Sequence, residues 1–307
     1  MWRNLERSIV RDQQGHSIVL TALVLVALLG FVALVVDGGI LYATKSHLQK
    51  TANAAALSSA QELTGAEDNV QEVIDRILSE HKESDSLEAA SIVIGNKVTV
   101  ELRKEVPLGF ARLLGFNSAP VEVKAAAEIL TMGSAVGVAP LGIDESIPLI
   151  YNKEYKLKVD QTGVENGYFG ILALGGPGAA TYSDNLINGY RNELKVGDVI
   201  DTQTGNIAGK TREGVKIRID NCPYPEGDLT HRDCSRFILV PVYKPYDFFS
   251  DGQLKHIEIT GFAYFYITKP MDDKDTSITG MFIQRTGTGY VKPGAVNKGA
   301  YAIRLTE

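Results

Sequence analysis

The sequence has little of what usually announces chemistry. No G-x-S-x-G elbow and no H-E-x-x-H pair occurs, and the five histidines (His16, His47, His81, His231, His256) are scattered. The chain is therefore read as a non-enzyme, with no cofactor and no metal. A net charge of −6, without any Lys/Arg block interleaved with aromatics, argues against nucleic acid as a partner. Cysteine is nearly absent too. Cys222 and Cys234 both lie in the polar segment NCPYPEGDLTHRDC. Outside a membrane such a pair more often forms a disulfide, worth on the order of 3 kcal/mol for a loop of about a dozen residues. Free thiols are one alternative. A zinc site with His231 is another, but no fourth ligand stands nearby at a standard spacing.

Two other segments stop short of a motif. GNIAGKT (Gly205–Thr211) is one residue short of a phosphate-binding loop, so it reads as a glycine-rich turn and no nucleotide is expected. MDDKDTSITG (Met271–Gly280) sets Asp273, Asp275 and Ser277 at alternate positions, as a calcium loop begins. It has Ile278 where the loop needs glycine and Gln284 where it needs glutamate, so it reads as a solvated acidic turn, with weak calcium binding near Asp273 as the alternative.

Charge is missing altogether from Ser17 to Val36. As a helix these twenty residues span about 30 Å, the thickness of a bilayer's hydrocarbon core. The run is longer than the apolar region of a secretory signal, and it ends in Asp37-Gly38-Gly39 rather than in a small-x-small cleavage site. It is read as a single-pass anchor. Arg3, Arg7 and Arg11 precede it, whereas Lys45 and Lys50 follow it. That bias places the N-terminus in the cytoplasm and the bulk of the chain outside. Asp37 marks the outer interface or pairs with a partner helix.

The helical pattern continues past the run. Ile40–Leu63 contains no proline and is rich in helix formers. Leu41, Leu48 and Ala55 recur every seven residues, and Ala52, Ala56 and Ala60 fill the neighbouring stripe. Small residues permit close packing, either of the helix on its own outer part or against neighbouring copies. Asp37, Ala52, Ala55, Ala56 and Ala60 are the candidate interaction residues.

The stretch VVDGGILYATKSHLQKTANAAALSSAQEL resembles the N-terminus of TadE/TadG-like proteins of the tight-adherence (Tad, or Flp) pilus-assembly system. The matching residues are Asp37, Gly38, Leu48, Gln49, Ala52 and Ala54–Ala56. VTVELRKEVPLGFARLLGFNSAPVEVKAAAEI continues it, with a strand, a Phe-centred short helix and a second strand. The resemblance implies work in assembly or anchoring of an adhesion pilus. The implied partners are membrane lipid and other pilus-assembly proteins or copies of the chain itself. Two family features are missing. Cleavage at Gly15 would put Leu20 where prepilins carry glutamate, and DESIP (Asp144–Pro148) lacks the second serine of a von Willebrand A metal motif. A minor filament subunit cleaved near Gly15 is the alternative. A membrane-anchored surface enzyme or ligand-binding protein is a further one, and it requires a deep outer pocket with convergent polar groups.

Beyond the helix, NVQEVIDRILSEH (Asn69–His81) has helical spacing. SIVIGNKVTVELR reads as two strands about Gly95-Asn96, Pro107 as the first residue of a short helix, and VEVKAAAEI as a strand. The Gly-rich segment Thr131–Gly142 is taken as a boundary. Past it come YKLKV, YFGILAL, DVIDT, RFILVPVY, HIEITGFAYFYI, SITGMFIQR and YAIRL as strands, with short helices near Ala180–Tyr190 and Thr211–Ile217. The expected fold is a membrane-anchored α+β chain: a cytoplasmic tail (1–16), a transmembrane and spine helix (17–63), a small α/β module (64–132) and a β-rich extracytoplasmic domain (133–307).

Overall fold

The computed structural model describes residues 13–158, 169–203, 207–250, 254–274 and 276–306. The tail's basic residues Arg3, Arg7 and Arg11 lie outside the described residues, as do Thr204–Asn206 of the glycine-rich segment and Asp275 of the acidic turn. The fold is α+β, with a long apolar N-terminal helix and a β-rich C-terminal region.

Helix α1 runs unbroken from Gln13 to Ser59 and ends in a 3-10 turn at Ala60–Glu62. No proline interrupts it, and Gly30, Gly38 and Gly39 are tolerated, each with open space around it. Its two halves differ in environment. Leu20, Leu25, Leu29 and Leu34 of the apolar run stay exposed. Farther along, Leu48, Ala52, Ala55, Ala56 and Ala60 are each fully buried.

Two compact units divide the chain, and neither is one continuous stretch. The first takes in Met1–Ala56, Ile74–Ser91 and Thr99–Ala125. Besides α1 it holds the end of helix α2 (Glu67–Glu80), most of strands β1 (Leu87–Val93) and β2 (Lys97–Pro107), and the first part, to Ala125, of strand β3 (Ser118–Ala135), which lie in the order β1, β2, β3. Val100, Leu102 and Val106 on β2, and Val121, Val123 and Ala125 on β3, are buried. The regular alternation on β3 is that of a sheet with one covered face. Pro107 is the last residue of β2 and opens no helix. The short helix is a 3-10 turn at Ala111–Leu114, closed by Gly115 at φ 93°. Pro107 presents no N–H, so a strand end suits it as well as a helix start does.

The second unit comprises Leu57–Val73, Ile92–Val98 and Ala126–Glu307. The turn at Gly95-Asn96 falls here, with Asn96 N–H donating to Val93 O at 3.0 Å and Gly95 at φ 77°. Thr131–Ala135, expected as the start of a boundary, continues β3 and pairs with β15 (Ala300–Leu305), β13 (Gly289–Val291) and β7 (Leu194–Lys195). The glycine there is a packing site, because a Cβ on Gly133 would lie 2.0 Å from Lys292 Cβ. On its other side β15 pairs in parallel with β12 (Arg285–Gly287).

The second unit's main sheet is built on the antiparallel pair β9 (Phe237–Phe248) and β10 (Leu254–Ile267). β10 carries β11 (Ser277–Ile283), which carries β5 (Glu154–Lys158). β9 pairs in parallel with β4 (Leu141–Asp144), and β4 pairs with β6 (Phe169–Ile171). Two short strands, β8 (Val199–Asp201) and β14 (Val296–Asn297), also pair with β10. Helices α3 (Ala179–Asn188) and α4 (Ala208–Asp220) pack together at Gly214, where an added Cβ would meet Leu186 Cδ2 at 2.8 Å. Leu141, Ile143, Leu186, Val215, Val240, Val242, Phe265 and Phe282 form a continuous core. Each such side chain, fully buried, contributes roughly 1.5–3 kcal/mol.

Candidate functional site

Asp37 follows the apolar run directly and is the first charge after Asp12. It is buried, at 6% exposure, so its carboxylate needs partners. They come from the turn between β2 and β3. Gly109 N–H donates to Oδ1 at 2.8 Å and Ala111 N–H to Oδ2 at 2.7 Å. Phe110 N–H reaches both oxygens, at 3.3 and 3.0 Å. Three consecutive amides at the start of a 3-10 turn have no partner inside that turn, and a carboxylate across their open end satisfies them together. The amide of Ala111 does most to hold the Asp37 carboxyl below its ordinary range. Burial pushes the other way, and Gly109 and Phe110 add to the lowering. Glycine fits at 109 because a Cβ there would come within 3.3 Å of Oδ1.

Gln49 makes a second tie from α1 to the same pair of strands. Its Nε2 donates to Lys124 O on β3 at 2.9 Å and to Asn53 Oδ1 at 3.0 Å. A third cluster gathers on Glu83, which is 5% exposed. Lys104 Nζ reaches its two oxygens at 2.7 and 2.8 Å, Ser86 Oγ donates at 2.5 Å, and His47 Nε2 lies at 3.3 Å. Burial pushes the Glu83 carboxyl upward, but Lys104, Ser86 and His47 outweigh it, so the net shift is downward. His47 comes from α1, Glu83 follows α2, and Lys104 lies on β2, so the cluster ties three elements of one unit.

The residues singled out in the sequence thus fall into place unequally. Asp37 meets backbone of its own chain. Ala52, Ala55, Ala56 and Ala60 are fully buried by the chain itself and offer no surface in this conformation. Leu48 is buried with them, and Gln49 is bonded as above. Nothing in the structure explains Gly38. The amides of 109–111 escape sequence reasoning, since no local pattern links two positions seventy residues apart.

In the second unit, Cys222 and Cys234 form a disulfide, with an S–S distance of 2.11 Å and Cα atoms 4.8 Å apart. That replaces the free-thiol and zinc alternatives. His231 instead stacks on Tyr224 with ring centroids 3.6 Å apart, and Tyr224 Oη donates to Asp233 Oδ2 at 2.9 Å. The described part of the GNIAGKT segment enters a helix at Ala208. Lys210 pairs with Glu213 at 2.8 Å, and Thr211 is buried against Tyr182 Oη at 3.0 Å. Asp273 has an almost fully exposed side chain near Arg212. His256 has both ring nitrogens on carboxylates across neighbouring strands, Asp201 at 2.7 Å and Asp247 at 2.5 Å.

A cleft of about 260 Å³ opens between Glu62, Tyr151, Thr230, Arg232 and Arg285. Arg232 spends its donors on the chain itself: on Glu62 Oε1 at 3.2 Å, on Thr286 O and Oγ1 at 3.1 Å each, and on Gln61 O. Arg285 is buried and lies over the Phe237 ring at 3.8 Å. Burial, with Arg232 beside it, pushes its guanidinium down to about 10.

Residues 17–62 match the family model described as putative Flp pilus-assembly TadE/G-like. The match covers the apolar run and the buried half of the helix, and so includes Asp37, Gln49 and the alanine stripe. No curated protein and no solved structure matches the chain. The helix over these residues is long and apolar enough to cross a membrane.

Proposed function

We propose that this chain is a single-pass membrane protein that acts in assembly or anchoring of a Tad/Flp-type adhesion pilus through contacts with other proteins. The observation that carries the proposal is the division of one helix. Its apolar first half is exposed and long enough for a bilayer, its second half is buried, and the TadE/G-like match spans both. The N-terminus stays in the cytoplasm and the β-rich bulk lies outside, in keeping with the basic bias before the run and with a disulfide in the outer part.

In this reading the alanine stripe and Asp37 act within the chain. Asp37 fixes the hairpin of β2 and β3 to the helix just beyond the lipid, so that these strands leave the membrane as a rigid extension of the anchor. Partners are met by the outer surface and, inside the bilayer, by the exposed face of Ser17–Val36. Cells lacking the chain and examined by electron microscopy test this. Loss of pili, restored by the wild-type gene, is expected. Normal piliation in the deletion strain rules the role out.

A further inference from the structure

The turn that Asp37 holds is apolar where it faces outward. Its sequence, LGFARLLGF (Leu108–Phe116), contains one basic residue, Arg112, and no acidic one. Phe110 is 43% exposed, Leu113 85% and Phe116 65%. Solvent exposure of a leucine and two phenylalanines within seven residues is costly in water, and such patches mark contact sites. The turn is also well formed. Leu108 N–H donates to Asn117 O at 3.0 Å, Phe116 N–H to Ala111 O at 3.1 Å, and Gly115 N–H to Arg112 O at 3.1 Å. A shaped turn with its apolar side chains outside is built to be covered.

Its position says by what. Asp37 binds Gly109, Phe110 and Ala111 directly, and Asp37 is one residue, about 1.5 Å of helix rise, beyond the apolar run. The latch therefore holds the turn at the depth where the anchor leaves the hydrocarbon. Asp37, which the turn grips, directly follows the exposed apolar residues Val35 and Val36, and the turn carries a cation and no anion to meet lipid headgroups.

We infer that the Leu108–Phe116 turn is a second membrane contact, inserting Phe110, Leu113 and Phe116 into the outer-leaflet interface beside the anchor. The inference rests on the anchor reading above. A single helix leaves the strands that follow it free to swivel and tilt, and a shallow insertion latched to the same helix removes that freedom. Each apolar side chain so inserted strengthens the contact on the order of tenfold.

The test uses the full chain in vesicles of phosphatidylcholine and phosphatidylglycerol, with the one native tryptophan removed by Trp2→Phe. A Phe116→Trp variant reports the turn, and a separate Leu25→Trp variant reports the anchor. Quenching is measured with lipids brominated near the headgroup or deep in the chain, and with acrylamide in water. Emission from the Phe116→Trp variant is expected to be blue-shifted, quenched most by shallow bromines and shielded from acrylamide. Adding Asp37→Ala is expected to abolish the shielding. If the Leu25→Trp variant is quenched by deep bromines while the Phe116→Trp variant is quenched at no depth, the turn does not insert. The inference then falls while the anchor stands. Blue-shifted emission from the Phe116→Trp variant without bromine quenching means a protein surface, such as a second copy, covers the turn, and that also overturns it. If neither variant is quenched by lipid, the anchor reading fails first.

Discussion

The backbone N–H of Phe110 is shared between both oxygens of Asp37, at 3.0 and 3.3 Å, across a sequence gap of 73 residues. This contact, with its neighbours at Gly109 and Ala111, joins the end of the apolar run to the strand pair that follows it in the fold.

Removing the carboxylate frees three amides at once. Asp37→Ala is expected to speed hydrogen exchange at Gly109, Phe110 and Ala111, and Asp37→Asn to have a smaller effect because one carbonyl oxygen remains as acceptor. Unchanged protection in Asp37→Ala would show that the turn holds its shape without the latch.

The same group makes the turn sensitive to acid. Asp37 has its folded pKa below the ordinary 3.8. Its contribution to stability is therefore complete above that value and is lost as pH falls through the lower folded one. Glu83 acts in the same sense from an ordinary 4.5. Unfolding midpoints measured from pH 6 down to about 3 should fall, and the fall should shrink in Asp37→Ala and shrink further when Glu83→Gln is added. An identical acid slope in wild type and double variant would remove both groups from the explanation.

Ala56 is fully buried, so Ala56→Trp forces a large ring into filled space. Overpacking of this kind costs about 1–3 kcal/mol or more. Thermal unfolding of the outer part should shift down while membrane insertion persists. Full stability in Ala56→Trp would mean that the stripe is free to open, and would return it to the list of surfaces for partners.

Reducing the disulfide, or replacing both cysteines by serine, should cost about 3 kcal/mol for a loop of this size. The loss should show first as protease cleavage between Cys222 and Cys234, where Tyr224 and His231 stack. Unaltered cleavage after reduction would show that this packing alone holds the loop.

Elements with one dominant period are readable from sequence. α1 has no breaker and a clear heptad and lies within a few residues of where the pattern puts it. β10, expected from its alternation as a half-buried strand, lies at the expected residues but is buried on both faces from Ile259 to Ala263. Pro107 is misplaced by sequence because its missing N–H suits a strand end and a helix start equally. Thr131–Ala135 reads as the start of a boundary because glycine and small side chains look like one, whereas here Gly133 leaves room for Lys292. The latch is half visible. Asp37 stands out as a charge beside lipid, but its partners are backbone amides, which carry no side-chain signal. The alanine stripe likewise announces close packing without saying whether the neighbour lies in the same chain.

The most direct test of the anchored reading is the intact mass of the native protein recovered from membranes after alkaline washing. A mass that includes residues before His16, on protein that resists extraction, is the expected result, and it makes the helix a permanent anchor. A mass beginning at His16, or release of the protein by the wash, would contradict this. Cleavage there would make the chain a filament subunit, and release would mean that it is not anchored in the bilayer.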